Sequence, residues 1–351
     1  MAVKQRDEDA MANDFAGGMT DEQLEKACKV DATGIATWRN WTTEVYSFGK
    51  CFRYLSKYPR IFPLYCQADH GVGLESLLQV HELNESERIH FTWNPVKAER
   101  FKDSTHPQVV RIPHPWIGYR KGLNIKRKDQ PSGTIVFFTH LAPGLVWEGH
   151  DSDEYFSSLR NLPEKFQPVV LCLHMHDINA GHHKELRRHG FPLVTAGNSS
   201  STMFVDRFYN LIKNYSYATS QDWGSQVAYC VELGVPYFFM GSIPKLINLS
   251  HPGQVIGEVP RYQDEKHEHL VLQAERLFRS PVDQVTLEQA TFVRSMLGLD
   301  SKLNQADISK ILWGEFYAHW RNWPQMLKPI ASHLLRKMGL LEMVRKVLKK
   351  S

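Results

Sequence analysis

Five short apolar runs punctuate the stretch from residue 134 to residue 240: TIVFFTH (134–140), PVVLCLHMH (168–176), FPLVTAG (191–197), YSYAT (215–219) and VPYFFM (235–240). Each is close to continuously apolar, and segments with helical spacing separate them. A strand that is apolar on both faces must be covered on both faces, which is the situation of a parallel sheet flanked by helices. Ligands of such sheets bind beyond the carboxyl ends of the strands. The runs all finish in polar residues or glycine: Thr139-His140, His174 to Asp177, Gly197-Asn198, Thr219-Ser220 and Gly241-Ser242. The pattern predicts an α/β fold and marks the rim on which function is to be sought.

The last two runs enclose YATSQDWGSQVAYCVELGVPYFFM (217–240), which reads as strand, polar turn, helix opening at Gly224-Ser225, and strand. The turn carries Thr219, Ser220, Gly224 and Ser225. The first N–H groups of a helix lack internal partners, and the macrodipole puts partial positive charge there. Hydroxyls and a glycine at such an end form a phosphate-holding arrangement. Ser and Gly are also ordinary helix caps, so the two readings stay open on this segment alone.

The length of 351 residues suits two domains. Ahead of the five runs, strands are expected near Ile61–Gln67, Ile89–Trp93 and Val109–Ile112, giving a first α/β region over 31–130. KRKDQPSG (126–133) reads as a linker, and 131–327 as the second region, helical from about 264 to 323. Residues 1–30 read as a mobile lead-in. The tail 328–351 holds seven Lys/Arg against one Glu, which leaves about −2 for residues 1–327 out of a total of +4. With no basic face on the body, no nucleic-acid partner is expected. In the tail, Leu334, Met338, Leu341, Val344 and Leu348 share a helical face opposite basic residues. This pattern suits an anionic membrane surface, and equally a helix docked on the protein. No apolar run reaches the length of a membrane span. The opening MAVKQRDEDAMANDF lacks the apolar core of a signal peptide. Five cysteines without a C-x-x-C pair suit reduced thiols. The expectation is a cytoplasmic protein, peripheral on the inner face of the plasma membrane if the tail binds lipid. The tetrapeptide WRNW occurs twice, at 38–41 and 320–323, and suits core packing.

Three constellations offer chemistry. Asp69-His70-Gly71 follows an apolar strand, where a carboxylate facing a cleft takes a proton from an attacking hydroxyl; capping the next helix is the alternative role for Asp69. His81-Glu82 lies just downstream, but HELNE is not H-E-x-x-H. CLHMHDINAGHH gathers His174, His176, Asp177, His182 and His183. His-x-His on a strand points both rings to one face, as in metal sites, yet no further ligand completes the set, and contact with a substrate phosphate or carboxylate suits these imidazoles better. His140 with Gly144 opens the second region, without G-x-x-x-x-G-K-[ST] or G-x-G-x-x-G. His114-Pro115 before the linker suits a structural role.

Taken in order, a smaller α/β region, a linker, and a second α/β region with strand, Ser/Gly turn, helix, LGVP and strand resemble glycosyltransferases of the GT-B architecture. The segment GSQVAYCVELGVPYFF is similar to their donor-site helix and following strand, and the resemblance covers residues 131–260 and, by position, 40–130. It implies two Rossmann-like domains facing a cleft, with C-terminal helices crossing back, the first domain for the acceptor and the second for a nucleotide sugar. Bacterial sialyltransferase-like members carry an acidic-acidic-Gly motif, a His-Pro and a Ser-Ser/Thr. Asp69-His70-Gly71, His176-Asp177 and Thr219-Ser220 stand at those places, with a histidine for one acid and no proline. The resemblance implies an inverting, metal-independent transfer in bacterial surface polysaccharide or lipopolysaccharide assembly. Asp69 would be the base and His176 the acid. His140, His174, Thr219, Ser220, Gly224 and Ser225 would hold a CMP- or UDP-sugar, with His70, Gly71, His81 and Glu82 on the acceptor side. No cofactor is implied beyond the nucleotide-sugar co-substrate. The acceptor would be a glycan or lipid-linked glycan. A nucleotide-sugar epimerase of the same architecture, a metal-dependent hydrolase built on His174–His183, and a non-enzymatic glycan- or nucleotide-binding protein are the other readings.

Overall fold

The computed structural model describes residues 17–29, 39–78, 82, 87–105, 107–139, 144–148, 152–243, 245–251 and 256–320. The expectations for His81, His140, the second WRNW beyond Trp320 and the tail 328–351 lie outside the described residues. Helix α1 (Asp21–Cys28) opens on a reciprocal cap, in which the Thr20 hydroxyl accepts from Gln23 N–H and the Gln23 side chain accepts from Thr20 N–H. Its Leu24, Ala27 and Cys28 are buried, and Met19 N–H donates to Leu193 O at 2.7 Å. Residues 17–29 are therefore packed rather than the mobile lead-in expected from their polarity; three apolar positions on one face suffice to dock a short capped helix.

Helix α2 (Phe48–Ser56) precedes a three-stranded parallel sheet of β1 (Gln67–Ala68), β2 (Ile89–Thr92) and, after α3 (Pro95–Arg100), β3 (Gln108–Arg111), in the order β1-β2-β3. The strand expected over Ile61–Gln67 shrinks to two residues. Pro63 has no N–H to give a ladder, and Phe62 N–H turns back to Pro59 O. Helix α4 (Pro115–Gly122) leads to the second region.

There, β4 (Thr134–Phe137) is followed by β5 (Leu145–Glu148), α5 (Ser152–Arg160), β6 (Val169–Cys172), α6 (Met175–Asn179), α7 (His182–Leu186), β7 (Leu193–Val194), α8 (Phe204–Ile212), β8 (Tyr217–Ser220), α9 (Ser225–Leu233) and β9 (Tyr237–Phe239). Each of the five apolar runs supplies one strand of a parallel sheet ordered β7-β6-β4-β8-β9. The chain is thus α/β with parallel sheets of Rossmann-like type. Succession runs outward from β4 through β6 to β7, then returns to the other side through β8 to β9. That reversal opens a crevice at the carboxyl ends of β4 and β8.

A small antiparallel sheet was not foreseen. It joins β5 to β10 (Lys245–Asn248) and β11 (Gly257–Glu258), with Lys245 opposite Glu148. Helices α10 (Glu265–Phe278), α11 (Leu287–Met296) and α12 (Gln305–Trp320) follow. α11 packs on α9, and α12 returns to α2, where Ser309 Oγ and Trp313 Nε1 donate to Ser56 O at 3.2 and 3.3 Å. One apolar cluster runs without a break from Phe48, Phe91 and Trp116 to Ile135, Tyr209 and Tyr237. Full burial of side chains of this size is worth about 1.5–3 kcal/mol each. A second cluster, including Leu24, Phe156 and Leu193, covers the opposite face of the five-stranded sheet. Among the described residues no helix is long and apolar enough to cross a membrane.

Candidate active site

A cavity of about 520 Å³ occupies the crevice. Phe137 to Thr139 and Cys172 to His174 reach it from the ends of β4 and β6, and Asp222 to Gln226 from the turn into α9. The loop after β1, from His70 to Glu75, closes it from the first sheet, and Arg261 and His267 enter from the segment around the start of α10. Of the residues expected to act together, it gathers His70, Gly71, His174, Gly224 and Ser225.

The loop after β1 is clamped to the start of α9. Val72 N–H donates to Ser225 Oγ at 2.8 Å, and Trp223 Nε1–H donates to Val72 O at 2.8 Å. Gly71 has φ +83°, and a Cβ there would lie 2.6 Å from Ser225 Oγ. Both the backbone conformation and the close approach require glycine. His70 lies against Trp41 and Tyr46, with ring centroids 4.8 and 5.2 Å away. Tyr46 (φ 54°) and Ser47 (φ 61°) are consecutive left-handed residues, a conformation that costs energy in a side-chain-bearing residue and persists where surroundings enforce it. Tyr46 N–H donates to Ser199 O, and Ser47 Oγ to Ser201 O. These bonds hold the Tyr46 ring in the cavity wall.

Asp69, expected at the cleft as a base, stands behind the wall at 2% exposure. His90 Nε2 and Lys97 Nζ lie 3.0 and 3.3 Å from its Oδ1, and Thr92 Oγ1 donates to Oδ2 at 2.5 Å. Burial works against its charge, but Lys97 with His90 and Thr92 outweighs burial and holds the carboxyl down at about 2. A carboxylate so engaged is a poor proton acceptor. Its neighbour Glu82 is buried as well, accepting from His70 N–H at 3.1 Å and from Lys97 Nζ at 3.1 Å. Glu82 therefore supports the loop of His70 from behind. Asp69, Glu82 and His90 form the one group of three among the described residues whose ligand atoms approach closely enough for a metal. The Lys97 ammonium bonds both carboxylates and already supplies their counter-charge.

Thr219 and Ser220 also turn away from the cavity. Thr219 Oγ1 donates to Phe238 O at 2.7 Å, and Ser220 Oγ to Asp222 O at 2.6 Å. The first ties β8 to β9 and the second shapes the turn. Gly224 is the cap residue of α9 and makes no side-chain cap bond.

The histidine cluster diverges. His174 caps α6, its Nδ1 accepting from His176 N–H at 3.2 Å. A main-chain amide can only donate, so the proton of neutral His174 sits on Nε2. His176, expected as the acid, belongs to the first turn of α6, with its ring 4.7 Å from that of His174; burial lowers its pKa. Asp177 is 3.7 Å from His182, and His183 is buried 3.5 Å from Glu25 of α1. The helix at 175–179 replaces the strand that would have kept these side chains on one face, which removes the basis of the metal-hydrolase reading.

Three further cavity residues were not foreseen. Asp222 lies inside the very turn that the sequence singled out. Its Oδ1 accepts from Trp223 N–H at 2.7 Å, and burial raises its pKa against the pull of that bond and of Arg261. Arg261 pairs with Glu275 and lies 5.5 Å from the Tyr262 ring centroid. His267 Nδ1 accepts from Gln263 N–H at 3.0 Å, leaving Nε2 as its donor when neutral. Neither Arg261 nor His267 belongs to a motif, so only the fold brings them into view.

No family model and no curated protein matches the chain. Among solved structures it is similar to the pneumococcal O-GlcNAc transferase GtfA, determined in complex with UDP and GlcNAc, at 9% identity and a TM-score of 0.27. The match covers 86% of this chain and 54% of that one, so the chain spans about half the length of GtfA. Similarity at this level carries no argument about activity, and the functional reading stands on the cavity.

Proposed function

We propose that this protein is a glycosyltransferase that uses a nucleotide sugar, held at the carboxyl edge of the five-stranded sheet. One observation carries the reading. The amino end of α9, with Ser225, shares a cavity with His174, Arg261, His267 and an aromatic wall that includes Phe137, Trp223 and Tyr229. A helix start, an arginine and imidazole N–H groups suit a diphosphate, and rings suit the faces of a base and a sugar.

In this mechanism the acceptor hydroxyl oxygen bonds to the anomeric carbon as the bond from that carbon to the phosphate oxygen breaks, inverting the centre. His70 receives the hydroxyl proton in the role first expected of Asp69. Charge that develops on the departing phosphate is met by α9, Ser225 and Arg261, and His174 Nε2–H donates to the leaving oxygen. Residues 31–130 would form the acceptor side and 131–327 the donor side. A glycan or lipid-linked glycan is the acceptor class, supported by the basic tail 328–351, which suits work beside an anionic inner leaflet in surface polysaccharide assembly. An epimerase of this architecture would turn over the donor without an acceptor, so acceptor dependence separates the two.

The test is calorimetric binding of UDP, GDP, CMP and dTDP and their common sugar conjugates, with and without EDTA, followed by transfer assays. Selective binding of one nucleotide that survives EDTA supports the reading, and binding of none sinks it. His70→Gln should keep donor affinity within about twofold and lower turnover by roughly 100-fold or more.

A further inference from the structure

Residues 1–327 sum to about −2, but that sum conceals how the charge is laid out. The stretch 48–62, which holds α2, carries four basic residues and no acid, and 115–128, which holds α4, carries five and no acid. Part of this charge is answered inside the protein: Arg53 pairs with Glu44 and Arg120 with Glu232, both at 2.7 Å, and Lys50 pairs with Asp206. Lys57 and Lys121 remain exposed at the ends of the two helices. Lys121 lies 3.8 Å from Glu232, a carboxylate that Arg120 already holds. Contacts join α4, α2 and α12 into one band. The Tyr54 ring of α2 lies 5.1 Å from the Tyr119 ring of α4. Ser56 O accepts from Ser309 and Trp313 of α12 at 3.2 and 3.3 Å, and the Tyr58 ring lies 5.1 Å from that of Trp313. α12 turns Lys310, Gly314 and Tyr317 outward, at the spacing of one helix face. Among the described residues nothing from elsewhere in the chain lies within 4 Å of where a Gly314 Cβ would stand. Of the two acids in α12, Glu315 is buried and Asp307 accepts from Asn304 N–H at 2.9 Å. Beside these lysines the band shows apolar surface: Leu123 is 45% exposed, Tyr54 44%, Tyr317 63% and Trp320 51%.

We propose that the outer side of α4, α2 and α12 is an interaction surface for an anionic lipid bilayer. Lysines that face no acid are drawn to anionic headgroups, each strengthening attachment several-fold. Tyrosine, tryptophan and leucine side chains beside them settle at the boundary between headgroups and acyl chains. α12 ends at Trp320, and the sequence runs on into 328–351, with seven basic residues against one acid, so the chain leaves the band towards its most basic part. A nucleic-acid backbone would use the lysines and leave Leu123 without a role. A second copy of the chain would set this positive charge against itself. The proposal extends to the folded body the membrane reading given to the tail, and it rests on neither the donor site nor the transfer chemistry.

Co-sedimentation of the full chain with vesicles tests it, using phosphatidylcholine alone and phosphatidylcholine with about 30% phosphatidylglycerol. Wild type should bind the anionic vesicles and leave the neutral ones. Lys57→Gln, Lys121→Gln and Lys310→Gln combined should weaken that binding roughly 10-fold or more. Lys102→Gln, Lys245→Gln and Lys266→Gln combined, exposed lysines outside the three helices, remove the same charge and should change it less than about threefold. Leu123→Ser with Tyr317→Ser should weaken it as well, at unchanged melting temperature and in salt high enough to screen the lysines. Equal losses in the two triple variants would mean that net charge alone acts, and no loss in the first would leave the membrane to the tail; either overturns the proposal. Tighter binding to a single-stranded RNA than to anionic vesicles, or a dimer that the first triple variant dissolves, assigns the band to another partner and overturns it too. A wild-type chain that ignores anionic vesicles defeats band and tail together, while nucleotide binding still decides the donor site.

Discussion

Asp69 and Asp177 are both buried carboxyls, and their surroundings drive them in opposite directions. Asp69 titrates near 2 when folded, against an ordinary value of 3.8. Its contribution to stability is complete above about pH 4 and is lost as the pH falls towards 2. Asp69→Asn leaves Lys97 without half of its counter-charge, and urea unfolding at pH 7 should show a loss of about 3 kcal/mol. That gap should close in the acid window. Asp177 is pushed up to about 6, first by burial and against the pull of His182, and its Oδ2 has no hydrogen-bond partner among the described residues. The folded state keeps a proton that the unfolded chain gives up, so stability falls as the pH rises from about 4 to 6. Asp177→Asn should therefore raise stability by about 1–2 kcal/mol at pH 7.5 and have little effect at pH 4. A melting series across pH 3 to 8 checks both signs in one experiment.

The meeting of the loop after β1 with α9 shows how much of the site could be read in advance. Strand, turn and helix over 217–240 were legible because an apolar run, a Ser/Gly cluster and a capped helix each leave a local mark. Gly71 and Ser225 were also marked, as a glycine beside an acid and a hydroxyl at a helix start. Their contact was not, because it joins residues 154 positions apart. The same limit hid the roles of Thr219 and Asp69, whose chemistry suits a ligand as well as it suits the neighbouring strands that claimed it. The antiparallel pairing of LVWE with KLIN left no pattern either, since each strand is only four residues long. Gly71→Ala tests the junction directly. Adding a methyl group against Ser225 in a left-handed turn should cost on the order of 1–3 kcal/mol, read as a lowered melting temperature, and should weaken nucleotide binding through the displaced hydroxyl.

Across the molecule, hydrophobic pattern alone identified all five strands of the larger sheet, because continuous apolar runs have few other uses at that length. Strand order was not written in any one run; it follows from packing and from the right-handed crossovers of parallel sheets. The extent of the shared core, and the return of α12 to α2, were equally matters of long-range contact. The edge of the sheet at β7 has a further consequence. Met19 and helix α1 lie over it, with Met19 N–H bonded to Leu193 O and Arg187 bonded to Asp21. An uncovered strand edge is a template on which a second chain can add its own strand. Residues 17–29 thus cover an edge on which a second chain could pair, a role that their polar composition disguises. Removing residues 1–29 should leave secondary structure largely intact by circular dichroism while shifting the protein to concentration-dependent oligomers in light scattering. A shortened chain that stays monomeric at high concentration would show that the edge is harmless without its cover.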